Sequence, residues 1–96
     1  MNIIWSPLAI EQARDIASYI ALDKPAAAQK WIEEIFTAVE RLAEFPQSGR
    51  RVAEIQRGDT REIVQGNYRV IYKISDQNIH ILVVKSYRQR LNQDEL

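Results

Sequence analysis

The period of the apolar residues changes once along this chain, at Pro46-Gln47-Ser48-Gly49, and that change limits the folds open to it. Before the break, apolar side chains recur every three or four residues, the spacing that places them on one face of a helix. After it they gather in short segments rich in β-branched and aromatic residues, separated by turn residues. A chain of 96 residues supplies one hydrophobic core, so the helices and the strands must share it. The expected class is α/β in the segregated, α+β sense, as a single domain over residues 1–96.

Asn2 to Trp5 is a short apolar stretch suited to a first strand. Ser6 can then cap free helical N–H groups and Pro7 is tolerated at a first helical position, which predicts a helix over residues 7 to about 22. Ala9, Ala13, Ile16, Ala17 and Ile20 form its narrow apolar face. Asp23-Lys24-Pro25 ends that helix and opens another. Ala28, Trp31, Ile32, Ile35, Val39 and Leu42 carry the second from residue 25 to about 45. So short a connection makes the two antiparallel neighbours, a helical hairpin.

Turn signals at Arg57-Gly58-Asp59, Gln65-Gly66-Asn67 and Asp76-Gln77-Asn78 divide the remainder into strands over residues 60–64, 68–74 and 79–85, an antiparallel meander. The last two are apolar on both sides. Strict alternation places Val70, Tyr72 and Ile74 opposite Ile71, and Ile79, Ile81 and Val83 opposite Leu82 and Val84. A sheet covered on one face only would alternate apolar with polar residues. One face is therefore expected to take the hairpin, and the other the C-terminal segment, a second chain or a partner.

The absence of cysteine excludes disulfides and thiolate metal sites, and a single histidine, His80, excludes a multi-histidine centre. No cofactor and no metal are expected. No basic leader followed by an apolar core and no membrane-length apolar run is seen, so the expectation is a cytoplasmic protein without a membrane partner. The net charge is zero but unevenly placed: acids outnumber bases before Gly49, and from Arg50 onward bases lead. The C-terminal half thereby suits an anionic partner, either nucleic acid or an acidic peptide.

In this order of elements lie five local strings: Ile4-Trp5-Ser6-Pro7 before the first helix, Phe45-Pro46-Gln47-Ser48-Gly49-Arg50 after the second, Arg61-Glu62-Ile63-Val64, Tyr68-Arg69-Val70-Ile71-Tyr72, and Lys85 followed by Tyr87-Arg88-Gln89-Arg90. Together they make a chain that resembles the RelE/ParE toxin superfamily of type II toxin–antitoxin systems, closer to the ParE branch. The resemblance implies a growth-arresting toxin neutralised by a cognate antitoxin, with operator DNA contacted through that antitoxin. ParE-like members are known for poisoning DNA gyrase, whereas RelE-like members cut messenger RNA on the ribosome. A third implied role is a plasmid-stabilisation module that binds its antitoxin without being toxic.

RNA cleavage through a 2′-hydroxyl needs a base, an acid and cations for the phosphorane charge. By the resemblance, Arg69 and Arg88 stand where RelE-like enzymes place two arginines. Thr60 and Glu62 stand where RelE has lysines, and Asp94 where a late tyrosine is expected. The phosphate-binding half of the machinery is present and the proton-transfer half is missing. The substitutes within the chain are Glu62 or His80 as base and Tyr87 as acid. Each has a plainer role: Glu62 as an ion-pair partner, His80 on the polar side of a strand, Tyr87 packed at the core's edge. Arg69, in the central strand, must be paired with Glu62 or open into a groove. Lys85, Arg88 and Arg90 form the strongest basic cluster, with Arg88 and Arg90 on one side if the chain stays extended. The expected function is a ParE-like toxin that binds DNA gyrase, using Arg61, Arg69, Lys85, Tyr87, Arg88 and Arg90 toward target or antitoxin. The alternative is a ribosome-dependent mRNA endonuclease built on Arg69, Arg88, Glu62, His80 and Tyr87.

Overall fold

The computed structural model describes residues 1–96. Strand β1 (Asn2–Trp5) leads into helices α1 (Pro7–Asp23) and α2 (Pro25–Glu40), and a 3-10 turn (Arg41–Ala43) extends the second. Strands β2 (Arg50–Arg51), β3 (Thr60–Gln65), β4 (Tyr68–Ser75) and β5 (Asn78–Ser86) follow, and a second 3-10 turn (Gln93–Glu95) lies near the C-terminus. The sheet runs β1-β5-β4-β3-β2, parallel only between β1 and β5. The expected strand, hairpin and meander are all present. The two-residue edge strand β2 is an addition that periodicity has no means of detecting in so short a segment.

Local chemistry sets the element boundaries. The Ser6 hydroxyl accepts from the Ala9 amide at 3.0 Å and donates to the Leu82 carbonyl at 3.1 Å, so one side chain caps α1 and ties its start to β5. Lys24 closes α1 through its N–H to Ile20, and Pro25 opens α2 directly behind it. Gly66 turns β3 into β4 with φ +61°, a conformation that costs glycine nothing.

The hairpin lies on one face of the sheet. Ala9, Trp31, Ile35, Val39 and Leu42 pack there against Val70, Tyr72, Ile79, Ile81 and Val84. A second, smaller cluster fills the other face: Val52, Ile55 and Leu91 cover Ile71 and Val83. No second chain is needed. The loop after β2 and the C-terminal segment supply the cover, of which the sequence suggested only the latter.

The strict alternation expected for β5 is broken by a bulge. The register passes from Ile71↔Val83 to Tyr72↔Ile81, leaving Leu82 as the extra residue. Parity inverts there, so Val83 joins the second cluster and Val84 faces the hairpin, the reverse of the sequence expectation. This places Lys85, two residues beyond Val83, on the same face as Arg69, its partner in the ladder.

Gly49 closes the hairpin-side core against Tyr72. Its N–H donates to Tyr72 Oη at 3.0 Å, and the Tyr72 hydroxyl donates to the Pro46 carbonyl at 2.7 Å. A Cβ at this position would lie 2.5 Å from Tyr72 Oη and 2.6 Å from the Glu62 carbonyl oxygen. Gly49→Ala is therefore expected to cost about 2–3 kcal/mol through overpacking. Tyr72→Phe, which only orphans the two backbone partners, should cost about 1–2 kcal/mol. Thermal denaturation of the two variants tests this ranking, each kcal/mol being roughly 4–8 °C in Tm for a domain of this size.

Candidate functional site

Arg69 projects from β4, the middle strand, onto the face away from the hairpin, and is 6 % exposed. A guanidinium at such a depth requires compensation. Its terminal nitrogens meet Glu54 in a two-point fork, Nη1 to Oε2 at 2.8 Å and Nη2 to Oε1 at 2.9 Å. Nη2 also donates to Glu62 Oε2 at 2.8 Å and Nη1 to the Gln89 carbonyl at 3.3 Å. Glu62, 3 % exposed, reaches Arg50 at 3.4 Å with its other oxygen. Pairing with Glu62 is one of the two roles the sequence left open. Glu54 is the partner that sequence reasoning missed, because it comes from an irregular loop whose path carries no periodicity.

This network holds the C-terminal segment, residues 87–96, onto the sheet. Glu54 Oε2 accepts from the Leu91 amide at 2.8 Å while the Leu91 side chain enters the second cluster. Lys85 Nζ donates to the Arg90 carbonyl at 3.1 Å and forms a short ion pair with Glu95. Gln12, on α1, links the same region: its Oε1 accepts from the Val84 amide at 2.8 Å, on the stretch of β5 beyond the end of β1, and its Nε2 donates to Glu95.

The electrostatics follow from these contacts. The Arg69 guanidinium holds the Glu54 carboxyl down at about 2, against burial, with help from the Leu91 amide. Glu54, then Glu62, stabilise the charged form of Arg69 still further despite its burial. Burial works to raise the Glu95 carboxyl, but Lys85, the Asn92 amide and Gln12 together keep it below the ordinary range. Burial also raises the Tyr72 hydroxyl.

The six residues expected to face target or antitoxin divide into two groups. Arg69 and Lys85 are spent on internal contacts, and the Lys85 side chain is 12 % exposed. Arg61 is half-buried and donates to the Gly49 carbonyl at 2.9 Å. Arg88 and Arg90 are exposed and form no salt bridge, and Tyr87 is 55 % exposed rather than packed at the core's edge. The chain does not continue as a strand here. A hydrogen bond from the Gln89 amide to the Ser86 carbonyl at 3.0 Å bends it, so Arg88 rides on a turn instead of extending in line with Arg90.

The residues proposed for RNA chemistry are not drawn into one place. Glu62 and Arg69 neutralise each other in the interior. His80 pairs with Ile4 and Lys73 toward the opposite end of β5, six residues before Ser86 and so about 20 Å from it along a strand. No group of histidine, aspartate or glutamate side chains is arranged to hold a metal ion, and no helix is long and apolar enough to cross a membrane.

A second surface lies on the outer side of the hairpin. Trp5, Ile10, Ala13, Ala17, Ile32 and Phe36 line an apolar groove of about 590 Å³, with Arg14 and Ser18 at its rim. Trp5 and Phe36 meet within it at 5.3 Å between ring centroids, and Phe36 is 49 % exposed.

Comparison with known proteins gives three kinds of likeness. The profile of the family described as the ParE toxin of type II toxin-antitoxin system, parDE, matches residues 3–91. The protein Y4kP of Sinorhizobium fredii is 37% identical over 93 residues, covering 93% of this chain and 91% of that one. Toxin RelE2 of Caulobacter vibrioides is 29% identical over 84 residues, covering 88% and 92%. A solved structure titled as the chromosomal ParDE TA system from P. aeruginosa superposes with a TM-score of 0.74 at 20% identity, covering 90% of this chain and 95% of that one. This last likeness is one of fold.

The depressed Glu54 carboxyl makes stability depend on acid. Its contribution is complete above the ordinary glutamate value of 4.5 and disappears as pH falls from there through about 2. The displacement corresponds to about 3 kcal/mol. Urea denaturation between pH 5 and pH 2 should show this loss in the wild type and a visibly flatter dependence in Glu54→Gln.

Proposed function

Because the chain belongs to the ParE toxin family of type II toxin–antitoxin systems, we propose that it arrests growth by binding DNA gyrase and is neutralised by a cognate antitoxin. The observation that carries the choice of binding over cleavage is the state of the charge pair in the interior: Arg69 and Glu62, two of the residues an RNA-cleaving site would need, satisfy each other out of reach of solvent. A buried, neutralised pair offers neither a base nor a cation to a phosphodiester. Of the six residues expected to face target or antitoxin, the cations left exposed are Arg88 and Arg90 on the C-terminal segment, with Tyr87 beside them.

The antitoxin has a different place to dock. The groove between Trp5, Ile10, Ile32 and Phe36 accepts the apolar stripe of an amphipathic helix, and Arg14 at its rim suits a carboxylate on that helix. Operator DNA would then be contacted by the antitoxin, not by this chain. The site of action is the cytoplasm, where gyrase and antitoxin are found.

Expression, mutation and primer extension test the reading. Expression without antitoxin should give filamentous cells and a DNA-damage response, and purified protein should inhibit supercoiling by gyrase. Arg88→Ala/Arg90→Ala should abolish growth arrest while shifting Tm by only a few degrees, since exposed charges contribute about 0–1 kcal/mol per pair. Codon-positioned cuts seen by primer extension within minutes of induction would instead assign the protein to the mRNA endonucleases. For the groove, Phe36→Asp should weaken binding of the neighbouring gene product at least a hundredfold and leave growth arrest intact; unchanged affinity would place the antitoxin elsewhere.

A further inference from the structure

Resting on the reading that Arg88 and Arg90 meet the target, we infer that Glu54 is the positioning residue of the C-terminal arm, residues 87–96, and decides where those two arginines stand. Glu54 lies outside the basic cluster and is 37 positions from the amide it holds. It needs no contact with the target to act.

The chemistry of its partners carries the argument. Glu54 Oε2 accepts from Arg69 Nη1 and from the Leu91 amide, both at 2.8 Å, and Oε1 accepts from Arg69 Nη2 at 2.9 Å. Every partner is a donor, and each oxygen has at least one. A carboxylate accepts at both positions, whereas an amide of the same shape has one acceptor and one donor. Whichever way a glutamine is turned, its NH2 meets an N–H. Only a carboxylate satisfies this corner.

The arm is thereby fixed beside the residues that matter. Leu91 directly follows Arg90, and its side chain, 5 % exposed, packs with Val52 and Ile55 from the loop that also carries Glu54. Gln89, between the two arginines, gives its carbonyl to Arg69 at 3.3 Å, and Arg69 is itself aimed by the Glu54 fork. The Lys85 contacts to Arg90 and Glu95 tether the distal part, and Ser86 closes the turn at Arg88 locally, its carbonyl accepting from the Gln89 amide at 3.0 Å and its hydroxyl from the Arg88 amide at 3.3 Å; the Glu54–Arg69 pair fixes where that turn sits on the sheet. Removing the Glu54 charge does not strip Arg69 of compensation, because Glu62 Oε2 remains at 2.8 Å. The sheet keeps its buried ion pair while the arm loses its anchor.

The experiment compares the full-length wild type with Glu54→Gln and, as reference, Arg88→Ala/Arg90→Ala. In Glu54→Gln, amide hydrogen exchange in residues 87–96 should rise at least tenfold, while the amides of β3, β4 and β5 rise by no more than the loss of global stability measured by urea denaturation accounts for. Growth arrest in cells lacking the antitoxin should weaken at least tenfold, while affinity for the neighbouring gene product stays unchanged. A general folding defect would lower both activities together, so this split distinguishes positioning from plain stability. If Glu54→Gln does not fold, an ester in place of the Arg90–Leu91 amide, introduced by semisynthesis, removes the single backbone N–H that Glu54 accepts and should give the same exchange pattern. Unchanged exchange in the arm overturns the inference, as does a loosened arm with wild-type growth arrest. Full growth arrest by Arg88→Ala/Arg90→Ala with the arm still protected would instead sink the premise that these arginines meet the target.

Discussion

One guanidinium in the middle strand organises half of this molecule. Arg69 is buried on the face away from the hairpin, where desolvating a cation costs several kcal/mol unless it is paired and hydrogen-bonded. Three separate pieces of chain answer that demand: Glu62 from the adjacent strand, Glu54 from the loop after β2, and the Gln89 carbonyl from the C-terminal arm. Without the charge, that loop would have only the small cluster of Val52, Ile55 and Leu91 to hold it against Ile71 and Val83, and the arm that cluster and the Lys85 and Gln12 contacts. The ion pair decides the arrangement and the apolar contacts supply area. Buried ionic groups are known to act in this way where they fix register more than they add stability.

A division of labour between the two faces of the sheet follows. The hairpin face is a conventional core, capped at one end by Gly49 against Tyr72 and open on its outer side as an apolar groove between α1 and α2. The opposite face is assembled from irregular chain around the charged network and ends in an exposed basic turn. The two faces are linked through α1, which lines the groove with Ile10, Ala13 and Arg14 and holds the arm through the hydrogen bond from Gln12 to Glu95.

Much of the architecture was legible in the residues. Helical spacing in α1 and α2, the Ser6-Pro7 and Lys24-Pro25 boundaries, and the turns at Gly66 and Asp76 each state a local rule that the fold obeys. The two-sided apolar character of β4 and β5 correctly announced that both faces are covered. The Arg69–Glu62 pair was also accessible, since residues on neighbouring strands of a meander lie within reach. The bulge at Leu82 was not. A single extra residue leaves no mark in a run of Ile, Leu and Val, yet it exchanges the faces of Val83 and Val84 and sets Lys85 beside Arg69.

The sequence alone determined the elements, their order and the resemblance to a toxin family, because these depend on side-chain periodicity and on capping and turn chemistry within a few residues. Only the tertiary structure decided which charges are available to a partner. Lys85, Arg69, Arg88 and Arg90 are alike as cations in the sequence, and all four fall near one another at the end of the meander. Two are consumed by Glu95, Glu54 and Glu62, carboxylates brought from other parts of the chain, and two are left in water. The physical reason is that an ion pair is made by proximity in space, and the loop that delivers Glu54 has no period from which its path can be read.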